Sequence, residues 1–485
     1  MDAVITSSWA DRRTPLTDLR GSLRNEGAIL LVSCYELGHQ PLGIASPIGF
    51  LERAGYRPDA LDISVERIPV EKVARARLVG ISVPMHTALR LGVRVAERIR
   101  EVNRTCHICF YGLYATLNAE YLLDSIADSV IGGEYEMALV TLVEALDSGR
   151  GTRVDGVSVV RRPAGPVLAR LPFPVPSRGR LPGLGAYAHL EDQDSKRLVG
   201  YVEASRGCLH MCLHCPIPPV YGGRFFVVPR EIVLEDIRRL VQDGATHITF
   251  GDPDFLNGPG HSRALVSAMH EEFPSVTFDC TIKVEHILEN RTIFPEFKAL
   301  GCVFIVSAVE SFSDVVLANL EKGHTRADVF EALRILRAAG ISLRPTFVSF
   351  TPWTTLEDYR EVLEVVKAED LIDHVDTVQY TIRLLVPPGS LLLERPAIRP
   401  FLGPLDQASF HYPWIHPDPR MDHLHKDISA MAEEATREGE DPAVTFERVR
   451  ALASATWGGV EPVGVVPTPR DLRRRPPRLT EPWFC

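Results

Sequence analysis

No apolar run in the 485 residues reaches the ~20 positions needed to cross a bilayer. The first 25 positions mix Asp, Arg and Glu and lack the apolar stretch of a secretory signal. These absences set the expectation of a cytoplasmic protein with no membrane partner. Basic clusters are missing until the tail, and the formal net charge is −10, which argues against nucleic acid as the main partner. Cysteine is scarce, with nine in the chain. Cys34, Cys106, Cys109, Cys280 and Cys302 lie in or beside apolar runs, where buried inert thiols are the ordinary outcome. At 45% hydrophobic and 24% charged, the composition is that of a globular protein of two or three domains.

Against that scarcity, Cys208, Cys212 and Cys215 fall within eight residues at C-x3-C-x2-C spacing. They follow an apolar run at 198–204, and Pro216 closes the segment. Thiolates are soft ligands that suit iron–sulfur clusters. Three on a four-iron cube leave one iron open to a substrate. A zinc site is the alternative, with His210 or His214 as fourth ligand. Arg206, Arg224, Phe225 and Phe226 are the nearby basic and aromatic residues.

Residues 1–26 lack periodicity and read as a loose arm. Residues 27–150 alternate strand-like runs (28–33, 59–63, 78–83, 107–111, 129–131) with helical patterns, among them 46–54 and 87–102. That order predicts a doubly wound parallel α/β domain whose ligands bind beyond the carboxyl ends of the strands. Residues 151–197, rich in Pro, Gly and Arg, read as a linker. From 198 to 395, six strand-plus-helix units (strands at 198–204, 246–250, 275–281, 302–308, 341–350 and 374–382) predict a partial (β/α)6 barrel. Chemistry in such barrels sits at the carboxyl ends of the strands. Gly251, Asp252, Pro253, Lys283, Glu285, Ser307 and Glu310 fall there, and Arg344 lies within the fifth strand, placed to pair with a carboxylate. Residues 396–485 form an irregular and helical extension. His411, His416, His423 and His425 crowd part of it as a candidate metal site, and five arginines lie between 470 and 478.

The cysteine triplet resembles that of the radical S-adenosylmethionine (radical SAM) superfamily. The resemblance implies a 4Fe-4S cluster on Cys208, Cys212 and Cys215, with S-adenosylmethionine on the open iron. Gly251-Asp252-Pro253 stands where the superfamily has Gly-Gly-Glu-Pro, whose backbone receives the methionine amino group. Ser-Ala-Val-Glu-Ser at 307–311 is similar to the family's Gly-Ile-Glu-Ser. By the same resemblance Lys283, Glu285, Ser307, Glu310 and Arg344 are candidate contacts to S-adenosylmethionine. The first domain, with Gly-Gly-Glu-Tyr-Glu at 132–136, resembles the cobalamin-binding-like domain that precedes many radical SAM cores. Cobalamin is thereby a candidate cofactor, with His39 and His86 as candidate ligands. Tyr111-Gly112-Leu113-Tyr114, in place of Gly-Gly-x-His, is expected to crowd the corrin space.

Tyr-Glu-Leu-Gly-His-Gln-Pro at 35–41 and the closing Cys485 resemble one radical SAM subgroup, the CUAEP/CCAEP-tail proteins, related to the radical SAM enzymes of arsinothricin biosynthesis. The expectation is a coding sequence that continues through a selenocysteine codon after Cys485, which then joins a thiol–selenol pair at the site. The implied activity is reductive cleavage of S-adenosylmethionine and modification of a small-molecule substrate. An external donor such as flavodoxin or ferredoxin supplies electrons, and 3-amino-3-carboxypropyl transfer to a thiophilic element such as arsenic is the particular reaction suggested. Cobalamin-dependent radical methylation and a non-catalytic cluster-based redox sensor are the alternatives.

Overall fold

The structure, a computed structural model, describes residues 19–193, 195–458, 473 and 475–480. Its first layer grows from five short, wholly buried strands: β1 (Ile29–Ser33), β2 (Asp59–Asp62), β3 (Leu78–Ser82), β4 (His107–Tyr111) and β5 (Ser129–Ile131). Strands apolar on both faces need helices on both, which only a parallel sheet with crossovers supplies. The order is β2-β1-β3-β4-β5, all parallel, and a two-residue antiparallel strand β6 (Val157–Ser158) completes the edge. Helix α1 (Leu42–Arg53) starts four residues earlier than its apolar period suggests. The buried Glu36 carboxylate accepts a hydrogen bond from the Gly43 N–H at 3.1 Å, satisfying a first-turn donor that has no partner within the helix.

The second sheet has five parallel strands, β8 (Ser195–Val202), β11 (His247–Phe250), β12 (Thr277–Thr281), β13 (Cys302–Glu310) and β14 (Ser342–Phe347). Between the first two, β9 (Ser205–Gly207) and β10 (Phe225–Val227) form a small hairpin around the cysteine segment. The sheet curls into a half-barrel, as expected. The sixth strand is reduced to one bridge, Phe350 to Arg383, because Ile372–His374 and Thr377–Tyr380 wind into 3-10 turns. On the other edge β7 (His189–Asp192) pairs antiparallel with β8, and β15 (Arg478–Leu479) with β7. The stretch at 151–197 thus contributes β6, β7 and the start of β8. Helices Pro419–Glu438 and Pro442–Trp457 pack on the outside of the barrel beside Leu356–Ala368.

The two sheets are joined through Arg178. Its side chain is 6% exposed and forks onto Asp236 at 2.9 and 2.8 Å, while reaching Gln40 Oε1 at 3.0 Å and the Tyr201 carbonyl at 2.7 Å. Removing one member of a buried pair leaves an uncompensated charge, at a cost of about 3–5 kcal/mol. Arg178→Ala should therefore lower the urea unfolding free energy by about that amount. Arg178→Met with Asp236→Leu should recover most of it. A loss in Arg178→Ala below ~1 kcal/mol would show that the clamp does not hold the domains.

Candidate active site between the two domains

The cysteine segment starts at Gly207, whose φ of +76° and tight contact with the Arg224 carbonyl leave no room for a side chain. Cys208 and Cys212 are buried, Cys215 is partly so, and all three are free thiols. Asn257 Oδ1 pins the loop from outside by accepting from Leu209 N–H at 3.2 Å. Burial pushes the Cys215 thiol up to about 12, and the neighbouring sulfurs of Cys212 and Cys208 add to it. Converging buried thiols of this kind ionise only against a cation or a metal. Each histidine of the segment is engaged through one ring nitrogen, while His214 Nδ1 and His210 Nε2 are buried without a hydrogen bond. His214 meets Glu310 at 3.1 Å, and His210 lies 3.3 Å from Asp254 and 3.1 Å from Lys283. Three soft thiols on one short loop fit an iron–sulfur cube with an open iron.

Carboxyl-end residues of the barrel strands surround this loop. Glu310 ends β13 at a φ of +65°, a strained position for a residue with a side chain. Its carboxylate is held by Lys322 at 3.1 Å and by His214. Lys283 pairs with Glu285 at 2.7 Å, and Asp254 also takes His286 at 2.8 Å. Asp252 has a structural task. Its two oxygens accept from Ala204 N–H at 2.8 Å and Ser205 Oγ–H at 2.6 Å, tying β11 to the turn that launches the loop, and burial raises its pKa to about 7. What the Gly251–Pro253 turn presents to open space is backbone. At Gly251 any Cβ would fall 2.0 Å from the Tyr201 hydroxyl. Ser307 is wholly buried on the face of β13 opposite Phe304 and Val306, which line the barrel, so it does not face the cavity as expected. Arg344 does face it, already paired with Asp376. Cys485 lies outside the described residues.

Sequence reading missed the basic and acidic groups that meet across the domains. Arg206 sits between Glu136 at 2.5 Å, Glu203 at 2.9 Å and Glu134 at 3.6 Å, and Tyr221 donates to Glu134 at 3.0 Å. The only signal was two glutamates in the Gly-Gly-Glu-Tyr-Glu segment and one arginine before the first cysteine. Lys322, whose ammonium is almost wholly buried against Glu310, carries no such signal in the sequence.

Above this clamp a cleft of about 230 Å3 separates the strand ends of the first domain from the barrel. Gly43, Gly112, Gly133, Met85 and Tyr135 line one wall, and Gly207, Ile217, Tyr221 and Pro253 the other. Tyr111 and Tyr114 do not crowd it, contrary to expectation. Tyr111 turns under α1 to donate to the Gly43 carbonyl at 3.1 Å, and Tyr114 packs against His86. Neither candidate histidine lines the cleft. His86 Nε2 is 2.8 Å from the Ser409 carbonyl, and His39 stacks on Tyr201. The four histidines of the extension do not converge either. His411 meets Ser409 and His416 meets Thr354, His425 packs on Phe350, and His423 is exposed. The cleft shares Leu37, Tyr201 and Gly251 with a second cavity inside the half-barrel.

A half-barrel carrying three thiols in one loop defines a radical SAM domain, and residues 202–368 match the Radical SAM superfamily. Residues 202–368 of the chain thus form a radical SAM domain, a kind of domain that works with a 4Fe-4S cluster and S-adenosylmethionine. Among curated proteins it is 24% identical over 372 residues to an uncharacterized methyltransferase of Pyrococcus horikoshii, covering 73% of this chain and 78% of that one. It is 25% identical over 346 residues to the hopanoid C-3 methylase of Methylococcus capsulatus, covering 68% of this chain and 63%, under two thirds, of the methylase. Its fold is similar to that of the cobalamin-dependent S-adenosylmethionine radical enzyme OxsB, with a TM-score of 0.66 at 15% identity over 84% of this chain and 67% of that one. It is also similar to the radical S-adenosylmethionine methyltransferase TsrM of Kitasatospora setae, with a TM-score of 0.55 at 18% identity over 70% and 71%. No helix among the described residues is long and apolar enough to cross a membrane.

Glu310 supplies a pH test of the site. Burial alone would raise its pKa, but Lys322 and His214 outweigh that and hold it down to about 2, against an ordinary 4.5. A carboxylate depressed on folding stabilises the protein above its unfolded pKa and loses that contribution as pH falls toward the folded one. Wild type should exceed Glu310→Gln in unfolding free energy by on the order of 3 kcal/mol at pH 7. Urea titrations of the metal-free protein should show the gap narrowing below pH 4.5. A gap that does not change with pH would show that the ion pair is not its source.

Proposed function

We propose that this chain is a radical SAM transferase with Cys208, Cys212 and Cys215 holding the cluster. In this reading the backbone of Gly251–Pro253 takes the methionine amino group, and Lys283, Glu285 and Glu310 border the nucleoside. The interdomain cleft takes a corrinoid. The observation that carries this reading is the continuity of space. One cleft is walled by strand-end glycines of the first domain and by the shoulder of the cysteine loop, and it opens into the barrel. When bound, the cluster supplies the electron that splits a carbon–sulfur bond of S-adenosylmethionine. A corrinoid would supply methyl-carrying chemistry. The relatives named as methyltransferase and methylase, and the OxsB structure described with aqua-cobalamin, support that assignment. The chain's own part is to orient. Arg206 fixes the loop against the first domain, Asn257 fixes its backbone, and the glycines keep the walls open. No histidine among the described residues lines the cleft, so those walls would hold the corrinoid without an imidazole ligand.

A second reading is 3-amino-3-carboxypropyl transfer to a thiophilic element such as arsenic, from the tail's resemblance to the CUAEP/CCAEP proteins. Its support in the structure is Leu479, six positions before Cys485, on the barrel cavity wall.

The test is oxygen-free reconstitution with iron, sulfide and hydroxocobalamin, followed by S-adenosylmethionine and dithionite. The corrinoid should stay with the protein through gel filtration. With a methyl acceptor present, 5′-deoxyadenosine and S-adenosylhomocysteine should appear. Mutating the three cysteines to Ala should abolish cluster absorbance and nucleoside release together. Methylthioadenosine would instead establish the second reading. A cluster that binds S-adenosylmethionine without ever cleaving it would reduce the chain to a redox sensor.

A further inference from the structure

The cavity inside the half-barrel holds one feature that S-adenosylmethionine does not explain. Arg344 rises from β14 beside Val306 of β13 and is 6% exposed. Its Nη2 alone meets both oxygens of Asp376, at 2.9 and 3.0 Å. A guanidinium facing a carboxylate normally offers two nitrogens in a fork. Here the second one, Nη1, is buried with no hydrogen-bond partner. The other charged or polar walls are already engaged. Asp279 Oδ1 accepts from His247 at 2.8 Å and from the Thr249 hydroxyl at 2.7 Å, and His374 Nδ1 meets the Leu343 carbonyl at 2.8 Å. Nη1 of Arg344 is therefore a donor in this cavity with an unmet demand for an acceptor, and an oxyanion would meet it beside the Asp279 and Asp376 carboxylates that share the wall.

We propose that the barrel cavity binds a small co-substrate through a carboxylate or comparable oxyanion seated on Arg344. The purpose assigned to that molecule, to be the acceptor of the transfer, rests on the radical SAM reading; the anion site itself does not. Location separates this group from the methionine carboxylate. A carboxylate that chelates the open iron must lie at the cysteine loop. None of Cys208, Cys212, Cys215, Glu310 or Lys322 lines the Arg344 cavity. Size bounds the ligand as well. The cavity measures about 150 Å3, a volume that holds a molecule the size of benzene. Phe304 and Leu479 give it apolar walls, and Thr249, Thr281 and Thr346 supply hydroxyls. Its opening past Leu37, Tyr201 and Gly251 lets the far end of the ligand reach the cleft. The class is a compact organic acid whose anionic end is buried and whose other end points to the transferring group.

The experiment uses acetate as probe on the cluster-loaded protein, with binding read by saturation-transfer NMR. Wild type should bind acetate saturably. Arg344→Gln should weaken it by roughly tenfold or more, the loss of one charge-assisted contact. Asp376→Asn removes the competing carboxylate and should tighten acetate several-fold, a gain that a misfolded variant cannot imitate. Saturating S-adenosylmethionine should leave acetate affinity unchanged. The variant with Cys208, Cys212 and Cys215 all mutated to Ala should still bind acetate, so a failure of the cluster assignment does not disturb this result. The proposal is overturned if wild type shows no saturable binding, or if both single variants bind as wild type does. It is equally overturned if S-adenosylmethionine displaces acetate and Arg344→Gln loses S-adenosylmethionine affinity. The site would then belong to the methionine carboxylate.

Discussion

The guanidinium of Arg206 is enclosed by three carboxylates that come from two domains. Glu134 lies in the loop after β5 of the first sheet, Glu136 opens the helix Glu136–Asp147 that follows it, and Glu203 lies in the turn after β8 of the second. A buried guanidinium without counter-charge is prohibitive, and so are buried carboxylates without a cation. Neither domain can withdraw its half of the cluster cheaply. Burial pushes Glu134 up to about 7 and raises Glu203 as well, while Arg206 pulls both back. Ser46 on α1 extends the network to a helix, donating to Glu136 at 2.8 Å. Arg206 stands two residues before Cys208. One electrostatic knot thus docks the domains, sets the depth of the cleft and fixes where the cysteine loop begins.

What the chain shows without coordinates is what is local. Buried parallel strands read as unbroken apolar runs, so 29–33, 78–82 and 107–111 are visible as such. Three thiols in eight residues need no fold to be recognised. The capping box at Thr325 and Asp328 is likewise written in four consecutive positions. The misreadings share a different cause. The run at 374–382 has strand composition, but Gln379 spends its side chain on the Phe347 N–H at 2.9 Å, and the backbone turns to allow it. Tyr111 and Tyr114 are bulky wherever they stand, and only the packing beneath α1 shows that they leave the cleft clear. Ser307 depends on which of two faces β13 turns inward, and a one-residue error in that assignment reverses every side chain.

The decisive pairs are the least legible of all. Arg178 finds Asp236 across 58 positions, Arg206 finds Glu136 across 70, and Arg344 finds Asp376 across 32. Nothing in composition or periodicity selects those partners, because each is chosen by where the sheets bring the chain. A charged residue in an apolar strand still announces that some compensation exists. Arg344 within β14 carried that signal, and the structure shows the compensation to be incomplete.

That incompleteness gives the paired compartments a direction. In the cleft the positive charge of Arg206 is enclosed by three carboxylates, and the first-domain wall is mostly glycine and apolar side chain, suited to an occupant held by shape. In the barrel one guanidinium nitrogen, Nη1 of Arg344, is buried without an acceptor, suited to a small ligand that brings one. The cysteine loop lies beside the junction, where Gly251 and Tyr201 face both spaces. A reaction that moves a group from a carrier above to an acceptor below needs this asymmetry. Shape must position the carrier without gripping the group that leaves it, while charge must orient the acceptor without occupying the atom that receives it. Charge at the far end of the barrel meets the second requirement because it grips the acceptor at the end farthest from the transfer.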